Sequence, residues 1–415
     1  MNIISTIIVA ALVFEFALQL IANLLNLKSL RLEPPPELKG IYKTDEYRKS
    51  QQYLRTTTRF GLLVSSFSLI LILAFWFLGG FNWLDQFIRT LNLNPLINGL
   101  LYVGILLIAQ SILSLPFSLY RTFVIEERFG FNRTTPRTFI LDRLKSLVLL
   151  ILLGGSLLTG ILALFQYAGT FAWIYCWVAV VMFSLLMQYI APTWIMPLFN
   201  KFIPMQAGEL KEAILKYARS VKFPIKNVFV MDGSKRSSKS NAFFTGFGNN
   251  KRIALFDTLI DKHTRGEMVA ILAHEIGHYK KKHILQGTII AILHTGVIFF
   301  LLSLILGSSE LYQAFFMEEE SIYSGLIFFS LLYTPIELIL SILMQIFSRK
   351  NEYEADQFAA KTIDNPNSLV GALKNLSATN LSNLTPHPFY VFLNYSHPPL
   401  LQRILAIQSM QSKDT

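Results

Sequence analysis

A chain of 415 residues with 53% hydrophobic and only 15% charged types, and a mean hydropathy of +0.45, is too apolar for an ordinary soluble domain and far too apolar for a disordered one. This is the composition of an all-α polytopic membrane protein. The net charge of +11 requires no nucleic-acid partner, because basic loops that orient membrane helices account for it, and the single cysteine, Cys176, excludes disulfides from the fold.

Seven apolar runs are long enough to span a bilayer: about 3–26, 60–80, 98–120, 147–167, 171–192, 284–306 and 325–347. The first carries Glu15 and lacks both a basic leader and a small-residue cleavage site, so it reads as a retained helix. The segment 27–59 carries Lys28, Arg31, Lys39, Lys43, Arg48, Lys49, Arg55 and Arg59, and 121–146 carries Arg121, Arg128, Arg133, Arg137, Arg143 and Lys145. Loops 81–97, 168–170 and 307–324 have almost no basic residues, and the last is acidic through Glu310, Glu318, Glu319 and Glu320. This alternation predicts an outside N-terminus and a cytoplasmic C-terminus, in a bacterial inner membrane or an endoplasmic-reticulum membrane according to the host. Glu15, His294 and Glu337 fall inside spans, where a charge costs roughly 3 kcal/mol unless paired or hydrated. His294 reads as a packed or cavity residue.

Residues 1–192 form a membrane region of five helices, and 193–415 a second region containing the last two spans. Within 193–283 the pattern predicts an amphipathic helix over 208–220, short strands at 227–232 and 252–257, and a polar turn region over 233–240. A strand pair of this kind offers a peptide an edge to join.

The chemistry is concentrated in His274-Glu275-Ile276-Gly277-His278. At helical spacing the two imidazoles share a face and can reach one tetrahedral Zn²⁺, while Glu275 can hold a water on the metal. Gly277 weakens the helix there, and close approach of a neighbouring backbone or of substrate would explain it. Downstream, Glu352 and Asp356 are four apart on a second predicted helix, so Glu352 can complete the coordination while Asp356 accepts the free ring N–H of a ligating histidine. Glu354 points elsewhere, towards solvent. The same residues could instead be two helix histidines without metal and a charged helix face, and seven spans with buried polar groups also describe a transporter or channel with structural zinc. Against that, closed structural zinc sites favour cysteines, and none stands here. The tail 408–415 reads as disordered.

Six separated segments together resemble the CAAX prenyl protease 1 family of membrane zinc metalloproteases. They are His274–His278, Glu352-x-x-Ala355-Asp356, the stretch from Phe123 through Glu126, Glu127 and Asn132, the stretch from Ile195 to Asn200, Ser240-Asn241, and Ser396-His397 through Arg403. The resemblance implies seven helices in a barrel around a large intramembrane chamber, capped on the cytoplasmic side by a gluzincin-like zinc domain with a small β-hairpin or sheet. It makes His274, His278 and Glu352 ligands of one Zn²⁺ per chain, Glu275 the general base and acid, and Asp356 the acidic partner behind the ligands. His397 is placed near the reacting carbonyl, Asn241 beside the substrate backbone and Arg403 at the substrate's C-terminal end. Glu126 and Glu127 are assigned to loop structure. The implied substrates are C-terminal peptides of prenylated CAAX proteins, met at the lipid bilayer. One chain suffices for the site, and a quality-control protease acting on unlipidated membrane peptides is the alternative.

Overall fold

The computed structural model describes residues 2–31, 33–34, 44–225, 227–245 and 252–411. Lys39 and Lys43 of the first basic stretch, and residues 412–415, lie outside the described residues. The first half contains α1 (Ile3–Lys28), α2 (Thr44–Phe77), the short α3 (Gly80–Arg89), α4 (Pro95–Glu126), α5 (Pro136–Tyr167) and α6 (Gly169–Phe199). The second half begins with β1 (Phe202–Pro204), α7 (Glu209–Ser220), β2 (Asn227–Met231), β3 (Ala242–Thr245) and β4 (Arg252–Phe256). It continues with α8 (Arg265–Lys280), α9 (His283–Ile305), α10 (Ile322–Leu332), α11 (Thr334–Thr362), α12 (Asn367–Thr379), α13 (Pro388–Asn394) and α14 (Leu400–Gln411). Residues 408–411, expected to be disordered, are the last turn of α14.

Among the described residues six continuous helices, α1, α2, α4, α5, α6 and α9, are long and apolar enough to cross a membrane, and the bent pair α10–α11, taken as one span, is the seventh. The span expected over about 325–347 is bent at Tyr333 by 54°. Pro335 is the cause: it has no N–H to give, and its ring would collide with the Leu331 carbonyl in a straight helix. Other spans outrun their apolar runs. In α2 the helix begins at Thr44, with Asp45 and Glu46 in its first turn, and carries the second half of the basic stretch.

The seven spans close into a ring. Helix α1 packs on α2, and α2 meets α4 through Phe60 and Phe67 against Phe117. At Gly99, α4 approaches α5 so closely that a methyl group would overlap Leu162. Cys176 of α6 lies against the Ile161 carbonyl of α5, Trp177 of α6 donates to the Ile292 carbonyl of α9 at 2.9 Å, and His294 of α9 bonds to the Tyr333 hydroxyl at 3.0 Å. The bent pair packs back on α1. Apolar side chains left exposed on every span, among them Ile7, Ile70, Ile112, Leu152, Met182, Leu304 and Ile339, form the surface a lipid slab would cover. Between the helices a cavity of about 580 Å³ is lined by apolar side chains together with Glu15, Ser330, Thr334, Glu337 and Ser341. Glu337 also meets His294 at 3.3 Å, so Glu15, His294 and Glu337 each face the cavity or a partner.

A second domain seals one end of the ring. Its four-stranded sheet has the order β1-β2-β4-β3, with β2 and β4 parallel and the other pairs antiparallel. The two predicted strands, β2 and β4, are therefore neighbours in the middle of the sheet, and its edges are β1 and β3, which the residue pattern alone does not predict. Four residues between polar segments carry too little alternation to be read as a strand. The basic loops anchor this domain: Tyr47 of α2 is buried in its core, and Glu126 at the end of α4 accepts from Tyr53 at 2.7 Å and from Lys239 at 3.0 Å. Arg236 grips Asp142 of α5 through two hydrogen bonds of 2.7 and 2.8 Å. At the opposite end lie the acidic segments, where Arg89 pairs with Glu319 at 2.6 Å.

Candidate metal centre

Helix α8 starts from a capping box, in which Thr264 accepts from the Glu267 N–H at 3.3 Å and Glu267 accepts from the Thr264 N–H at 2.9 Å. Met268, Leu272 and Ile276 recur every four residues and are buried in the core of the second domain, where α8 packs on α7, α11 and α12, each contributing roughly 1.5–3 kcal/mol. Their burial turns the neighbouring face, with His274 and His278, towards α11. On α11, Glu352 and Asp356 are buried with Ala355 between them. Gly277 stands opposite Ala355: a β-carbon there would come within 3.0 Å of the Ala355 backbone and 3.3 Å of Phe358. The glycine in the motif thus lets two helix backbones touch. Gly277→Val is expected to part them at a cost of about 1–3 kcal/mol, read as a lower melting temperature and weaker metal retention in detergent.

This contact brings the predicted ligands together. One ligand atom each from His274, His278 and Glu352 lie within 4.8 Å of one another. The two Nε2 atoms are 3.1 Å apart, and each faces Glu352, at 3.4 Å for His274 and 3.2 Å for His278. The Oε2 atom of Glu352 is buried and has only long contacts, to His274 Nε2 at 3.4 Å and Arg403 Nη1 at 3.5 Å, an arrangement that a closer cation would improve. Two imidazoles and a carboxylate are also a common donor set for an open zinc site. Burial works against a charge on His274, but hydrogen bonds to Asp356 and Glu352 outweigh it and push its pKa up to about 9 without a metal. The pocket is therefore built to favour positive charge.

Behind the cluster, Asp356 accepts from His274 Nδ1 at 2.8 Å and from Arg403 Nε and Nη2 at 2.7 Å each. The resemblance puts Arg403 at the end of the substrate, yet two of its nitrogens are committed to Asp356 and Nη1 lies 3.5 Å from Glu352. Glu275, next in the chain to His274, is partly buried, and burial pushes its carboxyl pKa up despite the nearby imidazoles. His397, held by Ser396 at 2.9 Å, stands over the cluster with Nε2 3.3 Å from Glu352 and its side chain 63% exposed. Asn241 precedes the edge strand β3. Its carbonyl accepts from Phe256 N–H at 3.1 Å and its exposed side chain accepts from Ala242 N–H at 2.9 Å, leaving the outer side of β3 as an edge among the described residues.

Three further residues take places that spacing alone does not give. His283, the first residue of α9, is buried and lies 3.0 Å from His278 Nδ1. Glu354, read as solvated, meets His283 Nε2 at 3.2 Å. Asn380 brackets Ser240, accepting from its N–H at 3.0 Å and donating to its carbonyl at 3.1 Å, and so fixes the start of β3. A third histidine five residues beyond the motif was the available signal for His283.

A ring of membrane helices capped by a domain in which two helices gather His274, His278 and Glu352 has the features of a membrane-embedded metalloprotein. Comparison with known proteins narrows the class. Residues 23–201 match the CAAX prenyl protease N-terminal region of five membrane helices, and residues 204–411 match peptidase family M48. A CAAX prenyl protease 1 homolog of Arabidopsis thaliana is 35% identical over 98% of both chains. The CAAX prenyl protease 1 of Saccharomyces cerevisiae is 36% identical, with 91% of this chain and 89% of the relative covered. The crystal structure of S. mikatae Ste24p superposes with a TM-score of 0.93 at 35% identity, covering 98% of this chain and 99% of that one. The chain belongs to the CAAX prenyl protease 1 family, and it is a multi-pass membrane metalloendopeptidase.

Proposed function

We propose that the protein hydrolyses a peptide bond near the C-terminus of prenylated CAAX substrates, with one zinc ion held by His274, His278 and Glu352. The observation that carries this reading is the convergence of one ligand atom from each of those three side chains within 4.8 Å of one another. A zinc ion in this position supplies Lewis-acid polarisation of the scissile carbonyl and lowers the pKa of water towards about 7. Glu275, with its raised carboxyl pKa, takes a proton from the attacking water and returns it to the departing amine. His397 is exposed enough to meet substrate and donates a hydrogen bond to the developing oxyanion. The peptide joins the edge of β3, so Asn241 lies beside its backbone. Asp356 holds His274 with Nδ1–H outward and Nε2 free for the metal. Prenylated substrates suit a site that caps a membrane ring with an apolar cavity between its helices. Because the basic loops lie at the domain end, the site faces the cytoplasm. Chelation of the purified protein is expected to reduce cleavage to background, and one equivalent of zinc to restore it. Full activity after verified metal removal would refute the reading.

A further inference from the structure

The two histidines of the cluster are backed differently. His274 rests on a carboxylate, Asp356, whereas His278 rests on a second imidazole, His283, with Nδ1 to Nδ1 at 3.0 Å. The rings of His278 and His283 meet edge to face, 5.1 Å apart and at 73°. His283 is 6% exposed, and its other nitrogen meets Glu354 Oε2 at 3.2 Å. A tight turn makes this possible: α8 stops at Lys280, Lys282 adopts a left-handed φ of 60°, and α9 begins at His283. Left-handed lysine is uncommon, so the chain holds a strained conformation to bring His283 back against His278.

We infer that His283 and Glu354 are positioning residues that fix the tautomer and orientation of the metal ligand His278. Resting on the ligand assignment above, the argument is one of hydrogen-bond polarity. His278 presents Nε2 to the cluster, so a neutral His278 carries its proton on Nδ1 and needs an acceptor there. His283 can accept at Nδ1 only if its own proton sits on Nε2. The Glu354 carboxylate accepts that proton and selects the tautomer. The result is a carboxylate–imidazole–imidazole–metal line that runs from α11 through the start of α9 to α8, so that α11 supports both histidines, one directly and one through His283.

The test is zinc affinity by competition with a chromophoric chelator, measured on the full detergent-purified chain, with the melting temperature of the metal-free protein as a control for folding. His283→Leu fills the space without an acceptor and is expected to weaken zinc about 10- to 100-fold. His283→Asn places an amide oxygen where Nδ1 stands and is expected to restore most of that loss, a rescue that mere space filling would not produce. Glu354→Leu leaves the tautomer unselected and is expected to give a smaller loss. Wild-type affinity in His283→Leu, or equal losses in the Leu and Asn variants, would overturn the inference. His278→Ala separates the two readings: if it loses zinc while His283→Leu keeps it, the ligand assignment stands and this inference fails, and if it keeps zinc the ligand assignment itself fails.

Discussion

Glu275→Gln is expected to retain zinc and lose turnover by about 10³-fold or more, since general acid–base catalysis alone is worth up to about 10⁴. Glutamine has nearly the same shape and can still hold a water by hydrogen bonding, but it cannot take the proton. The burial that raises the Glu275 carboxyl pKa matters here: an unperturbed carboxylate is a weak base for water, and a raised one accepts the proton of the attacking water more readily. Cys176 supplies no nucleophile in its place, because it is buried in α6 against Ile161. Metal content and peptide cleavage measured on one preparation decide the matter. Full activity in the variant would remove Glu275 from the mechanism, while loss of zinc would make it part of the binding site.

Arg403→Leu is expected to be the most damaging change to stability at the site. Asp356 has a side-chain exposure of 1%, and two Arg403 nitrogens at 2.7 Å supply its countercharge. Removing one partner of a buried pair leaves the other charge unpaired, at about 3–5 kcal/mol, whereas replacing both partners with apolar groups is far milder. The single variant should therefore melt well below wild type and lose zinc, because Asp356 also orients His274, and the double variant Arg403→Leu with Asp356→Leu should regain part of the stability. The alternative role, recognition of the substrate's terminal carboxylate, predicts something else: normal melting, normal zinc and a raised KM for substrates with a free C-terminus.

Much of the architecture is legible in the order of residues because a membrane imposes simple rules. An apolar run of the right length spans, and the described parts of the basic stretches at 27–59 and 121–146 gather at one end, where Tyr47 and Glu126 dock the second domain. The bend at Tyr333 was also signalled, by Pro335 within an apolar run, but length and hydropathy alone treat such a run as straight. The cluster was legible from spacing within each helix: His274 with His278, and Glu352 with Asp356. What spacing could not give is contact between segments far apart in sequence. That Gly277 meets Ala355, that Arg403 spends its donors on Asp356 and that Glu354 turns inwards to His283 are all consequences of how α8, α9, α11 and α14 pack. The edge strand β3 was hidden for a different reason, since its four residues take their conformation from pairing with β4.

The most direct test is to incubate the zinc-loaded, detergent-purified protein with a farnesylated CAAX peptide and its unlipidated counterpart, and to identify the products by mass. The account predicts release of the terminal tripeptide after the prenyl-cysteine, faster for the lipidated peptide and absent with Glu275→Gln. Bound zinc with no cleavage of the farnesylated peptide, or faster cleavage of the unlipidated one, would contradict it.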